Sequence, residues 1–119
     1  MAQVKYNGWT NYETWCVALW LGNDEGSYNY WREQARDVWD EAADPAERNR
    51  YFKQTQEEFA KYKLAERLKD ELREAGEDVL ERSNACASLW SGLLGAALGS
   101  VDYDEIASDW IDELAERST

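Results

Sequence analysis

The segment WTNYETWCVALWL, residues 9–21, constrains the fold most, because a helix-start signal leads directly into a dense aromatic run. Thr10 and Glu13 have the spacing of a capping box, in which each side chain bonds the other residue's backbone N–H. Asn11 is an alternative cap one position later. Beyond the cap, helical spacing predicts one broad apolar face on which other helices would pack. Its members are Tyr12, Trp15, Cys16, Leu19 and Trp20.

Helical signals continue through the first third of the chain. The first helix is expected to end at Gly22-Asn23 in a left-handed C-cap. A second helix follows, with an apolar stripe at helical spacing. That stripe consists of Tyr28, Trp31, Ala35, Val38, Trp39 and Ala42. Asp44 followed by Pro45 is the clearest later helix start, since aspartate is a good N-cap and proline suits the first helical position.

The middle of the chain predicts one long helix running from the centre towards the carboxyl-terminal part. From residue 46 to residue 75 nothing interrupts the helical pattern until Gly76. One side of it is apolar, and residues 64–72 leave two interpretations open, a solvated helix or a heptad-like contact with a second copy. The apolar positions are Tyr51, Phe52, Thr55, Phe59, Tyr62, Leu64, Ala65, Leu68 and Leu72.

The last third predicts two further helices. Residues 77–84 form a polar approach to a short helix over residues 86–98, whose leucines and small residues favour a central buried position. Gly99-Ser100 ends it, and Asp102 with Glu105 forms a capping box for a final helix. Altogether the sequence predicts an all-α, single acidic domain over residues 1–119 with about five helices, one of them long.

Composition excludes several functional classes. The chain has no histidine, which excludes His-based metal sites and Ser–His or Cys–His dyads. Its two cysteines, Cys16 and Cys86, are predicted as small buried residues rather than as a disulfide or metal pair. We expect no enzyme activity, no cofactor and no metal. A carboxylate enzyme with Glu13 as base remains the alternative, although helix capping already accounts for Glu13.

The formal net charge of −12 is concentrated towards the carboxyl terminus, where residues 76–119 hold two arginines against ten acidic residues. This sign argues against direct binding of nucleic acid or of an anionic membrane. No signal peptide or long uncharged run precedes the helices, so we expect a soluble cytoplasmic protein.

The final helix carries its carboxylates in a row at positions i, i+4, i+7 and i+11, opposite its apolar stripe. At ~1.5 Å per residue, successive charges lie about 4.5–6 Å apart along the helix, which is close to the phosphate spacing of a nucleic-acid strand. This acidic stripe consists of Glu105, Asp109, Asp112 and Glu116, with Glu113 beside it. A secondary acidic patch consists of Glu77, Asp78 and Glu81. The interpretations are a mimic of DNA that binds a basic protein, or an ordinary solvated face.

The segments YNGWTNYETW (residues 6–15) and NDEG (residues 23–26) resemble a family of short uncharacterised proteins of phages, plasmids and bacteria. Residues 94–107 are similar to that family's usual ending. The motif positions are Trp9, Asn11, Glu13 and Trp15. The resemblance implies a mobile element in a bacterial host. Small acidic proteins in that setting include DNA-mimicking inhibitors of restriction, CRISPR or repair enzymes.

Two functional hypotheses follow. The first is a non-enzymatic inhibitor whose acidic stripe occupies the DNA-binding surface of a host protein. The second is an adaptor that binds a partner protein through the Trp-rich amino-terminal segment, because interface hot spots are rich in tryptophan. Exposure of Trp9, Tyr12 and Trp15 would favour the adaptor, whereas the sequence predicts that these rings are buried in the core.

Overall fold

The structure is a computed structural model that describes residues 5–50 and 53–117. Within these two ranges the chain forms six α-helices and no strand. They are α1 (Tyr12–Asn23), α2 (Glu25–Ala42), α3 (Pro45–Arg48), α4 (Gln56–Arg82), α5 (Leu89–Gly99) and α6 (Tyr103–Arg117). The predicted all-α class is confirmed, and the predicted count of about five helices is one too few.

The hydrophobic core lies where α2, α4 and α6 meet, with α1 packed on α2. The stripes predicted for the second and final helices supply much of this core, as helical spacing implied. Its buried residues are Leu21, Trp31, Ala35, Val38, Ala42, Ala60, Leu64, Ala65, Leu68, Val101, Ile106, Ala107 and Ile111. Leu64 and Leu68 are only 1 % and 0 % exposed. These two leucines therefore pack into the core of their own chain, which is incompatible with a heptad-like contact through them to a second copy. The opposite side of the same segment, with Glu66 and Lys69, is exposed as a solvated helix requires.

Asn11, and not Thr10, caps α1. Its Oδ1 accepts hydrogen bonds from the Thr14 N–H at 2.9 Å and the Thr14 hydroxyl at 2.6 Å. The predicted left-handed C-cap at Gly22-Asn23 is also wrong, because α1 runs through Asn23. Asp24, in extended conformation, ends α1 and caps α2 by accepting a bond from the Ser27 N–H. Asp24 alone therefore connects α1 to α2.

The helix start at Asp44-Pro45 is confirmed, but α3 has only four residues. The predicted uninterrupted helix over residues 46–75 is wrong because Thr55 begins a new helix. Thr55 and Glu58 form a capping box: the Glu58 N–H donates to Thr55 Oγ1 at 3.1 Å, and the Thr55 N–H donates to Glu58 Oε1 at 3.0 Å. Tyr51 and Phe52, which the sequence placed on the apolar stripe, lie outside the described residues.

The long helix α4 does not stop at Gly76 but continues to Arg82, so the polar approach predicted for residues 77–84 is mostly helix. Gly76 instead allows α5 to come close. A Cβ added at Gly76 would lie 3.2 Å from Leu94 Cδ2 and 3.3 Å from Leu98 Cδ1. Glycine at this position therefore indicates a tight contact between two helices rather than a helix end.

The helix α5 is not the central buried helix that its composition suggested. None of its residues is buried, and Leu89, Trp90 and Leu93 are 68 %, 64 % and 53 % exposed. It lies mainly against α4, at the periphery of the core. Cys86, in the turn before α5, is exposed and Cys16 is half-buried, so the prediction of buried thiols is wrong for Cys86.

Candidate protein-binding surfaces

The side of α1 that packs against the core is opposite to the side that the helical spacing predicted to be buried. Thr14 and Leu21 are its buried residues, and Val17 and Ala18 pack against the core beside them. The face predicted for packing therefore lies towards solvent. Apolar residues surround this helix on nearly all sides, so periodicity alone could not choose which side is buried.

A contiguous group of rings covers the amino-terminal end of this outward face. The ring of Tyr6 meets those of Tyr12 and Trp15 edge to face, with centroids 5.2 Å and 5.1 Å apart. Tyr12 and Trp15 contact each other at 5.5 Å. Tyr12 is 52 % exposed, and Trp20, two helical turns further along α1, is 67 % exposed. We call this the aromatic surface, defined by Tyr6, Tyr12, Trp15, Leu19 and Trp20.

A tight turn brings Tyr6 to the aromatic surface. Tyr6 and Trp9 exchange two backbone hydrogen bonds of 2.7 Å and 2.8 Å across Asn7-Gly8. Asn7 and Gly8 have φ of 47° and 90°, the left-handed values that a two-residue primed turn requires. The Asn-Gly pair is the strongest short-range signal for such a turn, and it could have been read from the sequence.

Residues at the start of α1 tie this helix to the carboxyl-terminal third of the chain. The Asn11 side-chain amide donates to the Ser100 carbonyl at 2.7 Å. The Thr10 N–H and hydroxyl donate to the two Glu105 carboxylate oxygens at 2.9 Å and 3.2 Å. The Asp102 N–H donates to the buried Thr14 hydroxyl at 2.9 Å. These bonds fix the orientation of α1 and so hold the aromatic surface in place.

The other motif positions lie between core and surface. Trp9 and Trp15 are partly buried, and Trp9 packs against the core cluster. The burial in the core that the sequence predicted for Trp9, Tyr12 and Trp15 is therefore met in part by Trp9 and is wrong for Tyr12, which is exposed. Glu13 lies in the first turn of α1, where a carboxylate favours the helix N-terminus. The predicted hydrogen bond from the Thr10 N–H to Glu13 does not form, because the Thr10 N–H donates to Glu105 instead.

The acidic stripe on α6 is not a uniform row of solvated charges. Glu105 is held by Thr10, the Asp112 carboxylate lies 2.8 Å from the Lys61 ammonium, and Glu113 pairs with Arg117 at 2.8 Å. Glu116 lies on the last turn of α6 and is exposed. Most of these contacts join groups at the surface, where an ion pair contributes little stability.

Asp109 lies close to two other carboxylates of α6, those of Asp112 and Glu113. Partial burial raises the pKa of its carboxyl, and the neighbouring carboxylates of Glu113 and Asp112 raise it further. In the secondary patch, Glu77, Asp78 and Glu81 lie exposed on the last turns of α4.

Two observations concern other kinds of site. The described residues contain no group of three or more His, Cys, Asp or Glu side chains that could hold a metal ion. Nor does any helix in the described ranges have both the length and the apolar character needed to cross a membrane.

Fold and surfaces together define an acidic all-α protein that carries an aromatic helix face on its exterior. The chain matches the family of unknown function DUF7249 over residues 2–116 and therefore belongs to it. Comparison with curated proteins and with solved structures finds no match.

Proposed function

We propose that this protein is a non-enzymatic interaction module whose aromatic surface binds a partner protein. The observation that carries the proposal is the exposure of large rings along one face of α1, with Trp20 67 % exposed. Large aromatic residues dominate the energetics of interfaces, and contiguous exposed apolar patches are a feature of interaction sites. The expected mode is a helix face that docks into an apolar groove of the partner.

The charge near α1 indicates the chemistry of that groove. From residue 5 to residue 31 the chain has one cation, Lys5, and three acidic residues, Glu13, Asp24 and Glu25. A groove bordered by lysine or arginine complements this pattern, and the net charge of −12 would accelerate the encounter. The proposed partner is therefore a basic protein with an apolar cleft. We place it in the cytoplasm of a bacterial host of a phage or plasmid.

Mimicry of DNA by the acidic stripe is the second candidate function. It is supported by the grouping of carboxylates around Asp109: partial burial is the main cause of the raised pKa of Asp109, and the neighbouring carboxylates of Glu113 and Asp112 raise it further, as a local concentration of negative charge does. In this version the partner is a restriction, CRISPR or repair enzyme, and the stripe occupies its DNA-binding surface. The protein itself would bind neither nucleic acid nor membrane and would need no cofactor.

Capture from bacterial lysate on immobilised full-length protein tests the first function. Tyr12→Ser and Trp20→Ser should abolish capture of the partner while leaving helix content unchanged. Tyr62→Ser is the matched control for Tyr12, since Tyr62 is 50 % exposed on α4. A partner that is lost equally from all three variants, or from none, would contradict the aromatic surface as the binding site.

The same capture separates mimicry from the aromatic surface. The double variant Asp109→Lys, Glu116→Lys should release the partner if the stripe mimics DNA, and duplex DNA should compete for that partner. Asp40→Lys, Glu57→Lys changes the same number of charges at exposed positions on α2 and α4 and should have no effect. Binding that resists both the α6 double variant and duplex DNA would exclude mimicry.

A further inference from the structure

A second apolar surface lies on α5, remote in sequence from the aromatic surface. Residues 83–101 contain no Asp, Glu, Lys or Arg, in a chain in which 32 % of residues are charged. Leu94 and Leu98 face α4, where they lie against Gly76. The exposed leucines Leu89 and Leu93 lie on the side of α5 that α4 leaves open. Burial within the chain therefore does not explain the apolar character of that side.

The open side of α5 consists of a ridge next to a groove. At about 100° per residue, Leu89, Trp90 and Leu93 fall within one sector and form the ridge. The adjacent sector has only small residues and forms the groove. Its members are Gly92, Gly95, Ala96 and Gly99. The groove continues into a cavity of about 320 Å³ that Gly95 and Gly99 line together with Leu98 and Val101 from the same end of the molecule.

Packing among the described residues does not require the interior glycines of this groove. Glycine destabilises a helix interior relative to alanine, so it is usually present where φ is positive or a neighbour comes close. Gly92 and Gly95 have helical backbone, and a Cβ added to either would meet nothing within 4 Å. Gly76 differs, because α5 packs directly on it. Close approach by something outside the chain would explain Gly92 and Gly95.

We propose that a second copy of this chain docks on α5, so that the ridge of each copy occupies the groove of the other. A two-fold contact needs a self-complementary surface, and the ridge and groove on one helix provide it. In this arrangement Trp90 of the second copy approaches the cavity that Lys69 and Arg73 also line, where a cation over the indole is favourable.

Charge and area both favour a second copy as the occupant. The α5 surface has no charged residue with which a basic partner could form a salt bridge. Two copies of this chain, each with a net charge of −12, repel each other least when they meet through this uncharged segment. The three ridge residues expose on the order of 350 Å² of apolar surface per copy. With the groove covered as well, the total approaches the ~1,200 Å² at the low end of specific interfaces. The expected dimer is therefore weak and depends on protein concentration.

Sedimentation equilibrium of the full chain over the micromolar range tests this dimer. The mass should rise from 13.8 kDa towards twice that value. Added salt should strengthen association, because it screens the repulsion between two acidic chains and leaves the apolar contact intact. This is the reverse of the salt dependence expected for a basic partner. A monomer at every concentration and salt would overturn the proposal.

Three variants locate the contact. Leu93→Glu on the ridge and Gly95→Leu in the groove should each weaken dimerisation at least tenfold. A Cβ at residue 95 would meet no atom of the described chain within 4 Å, and the cavity beside it leaves room for a longer side chain, so the Gly95→Leu monomer should melt no lower than the parent. Trp20→Ser on α1 matches Trp90 in exposure and should leave the dimer unchanged. If Trp20→Ser breaks the dimer and the α5 variants do not, the contact lies on the aromatic surface and the proposal is wrong. Partner capture does not depend on this result, so each proposal can fail alone.

Discussion

Thr14 is fully buried, and among the described residues it is the only buried polar residue. Its hydroxyl donates to Asn11 and accepts from the Asp102 N–H, which connects the start of α1 to the start of α6. A buried hydroxyl is tolerated when it is satisfied in this way. The Thr14 hydroxyl is therefore the buried member of the set of hydrogen bonds that orients α1 and, with it, the aromatic surface.

Replacing Thr14 by valine should destabilise the protein. The substitution keeps the shape but leaves the Asp102 N–H without its acceptor, which costs roughly 1–3 kcal/mol. Urea unfolding followed by tryptophan fluorescence measures the loss. Thr14→Ser keeps the hydroxyl and should recover part of the stability. A Thr14→Val protein as stable as the parent would show that these bonds do not fix α1.

Asp109 should make the protein less stable as pH rises. Its carboxyl has a raised pKa in the folded state, so the folded chain binds that proton more tightly than the unfolded chain. Stability therefore falls as pH rises from the ordinary aspartate pKa, near 3.9, through the raised value. Because Asp109 is largely exposed, Asp109→Asn should gain only a few tenths of a kcal/mol at neutral pH.

Thermal melts at neutral pH and near pH 3 measure this effect, since the carboxyl is protonated at the lower pH and the gain should disappear there. Asp104→Asn is the control. Asp104 lies in the first turn of α6, where a negative charge is favourable, so its removal should lower the melting temperature slightly. Equal effects of the two substitutions would contradict the origin assigned to the pKa shift of Asp109.

At the scale of helices, Gly76 sets the distance between α4 and α5. Gly76→Ile places a branched side chain where Leu94 and Leu98 already lie within 3.3 Å of a Cβ position, and should destabilise the chain by roughly 1–3 kcal/mol. Hydrogen exchange should show faster opening of α5 than of α2. Gly22→Ala is the matched control, because a Cβ there meets nothing, and it should stabilise α1 by up to about 1 kcal/mol.

Sequence predicts those elements whose signals are local. The Asp44-Pro45 start needs only neighbouring residues, and α2 has polar residues on one side, so its buried side is fixed by the pattern. The faces of α1 and α5 could not be assigned because both helices are apolar on nearly every side, and packing elsewhere decides which side is buried. The contact of Thr10 with Glu105 joins residues 95 positions apart, which no local spacing reveals.

At the scale of the whole molecule, charge is separated from apolar surface. Residues 31–75, which supply much of the core, hold ten cations against twelve acids, whereas residues 76–119 hold two against ten. Within this acidic third, residues 83–101 carry no charge at all. The molecule therefore combines an acidic surface, which acts on charged partners over distance, with uncharged helix faces that could make close contact, as the proposed binding function needs.

If the negative charge of α6 is kept for binding, removing it should stabilise the fold. In the double variant Asp109→Lys, Glu116→Lys, the change at residue 109 replaces the repulsion between Asp109 and its neighbours Glu113 and Asp112 by attraction. Thermal melts should therefore show a higher melting temperature than the parent in low salt, with the difference shrinking as salt screens the charges. The control Asp40→Lys, Glu57→Lys alters the region where charges nearly balance, and its melting temperature should not rise, because Glu57 lies in the first turn of α4, where a negative charge is favourable. A stabilised α6 variant that no longer captures the partner would place binding on the acidic stripe, because functional sites often sacrifice stability. A stabilised variant that captures it fully would leave the aromatic surface as the binding site.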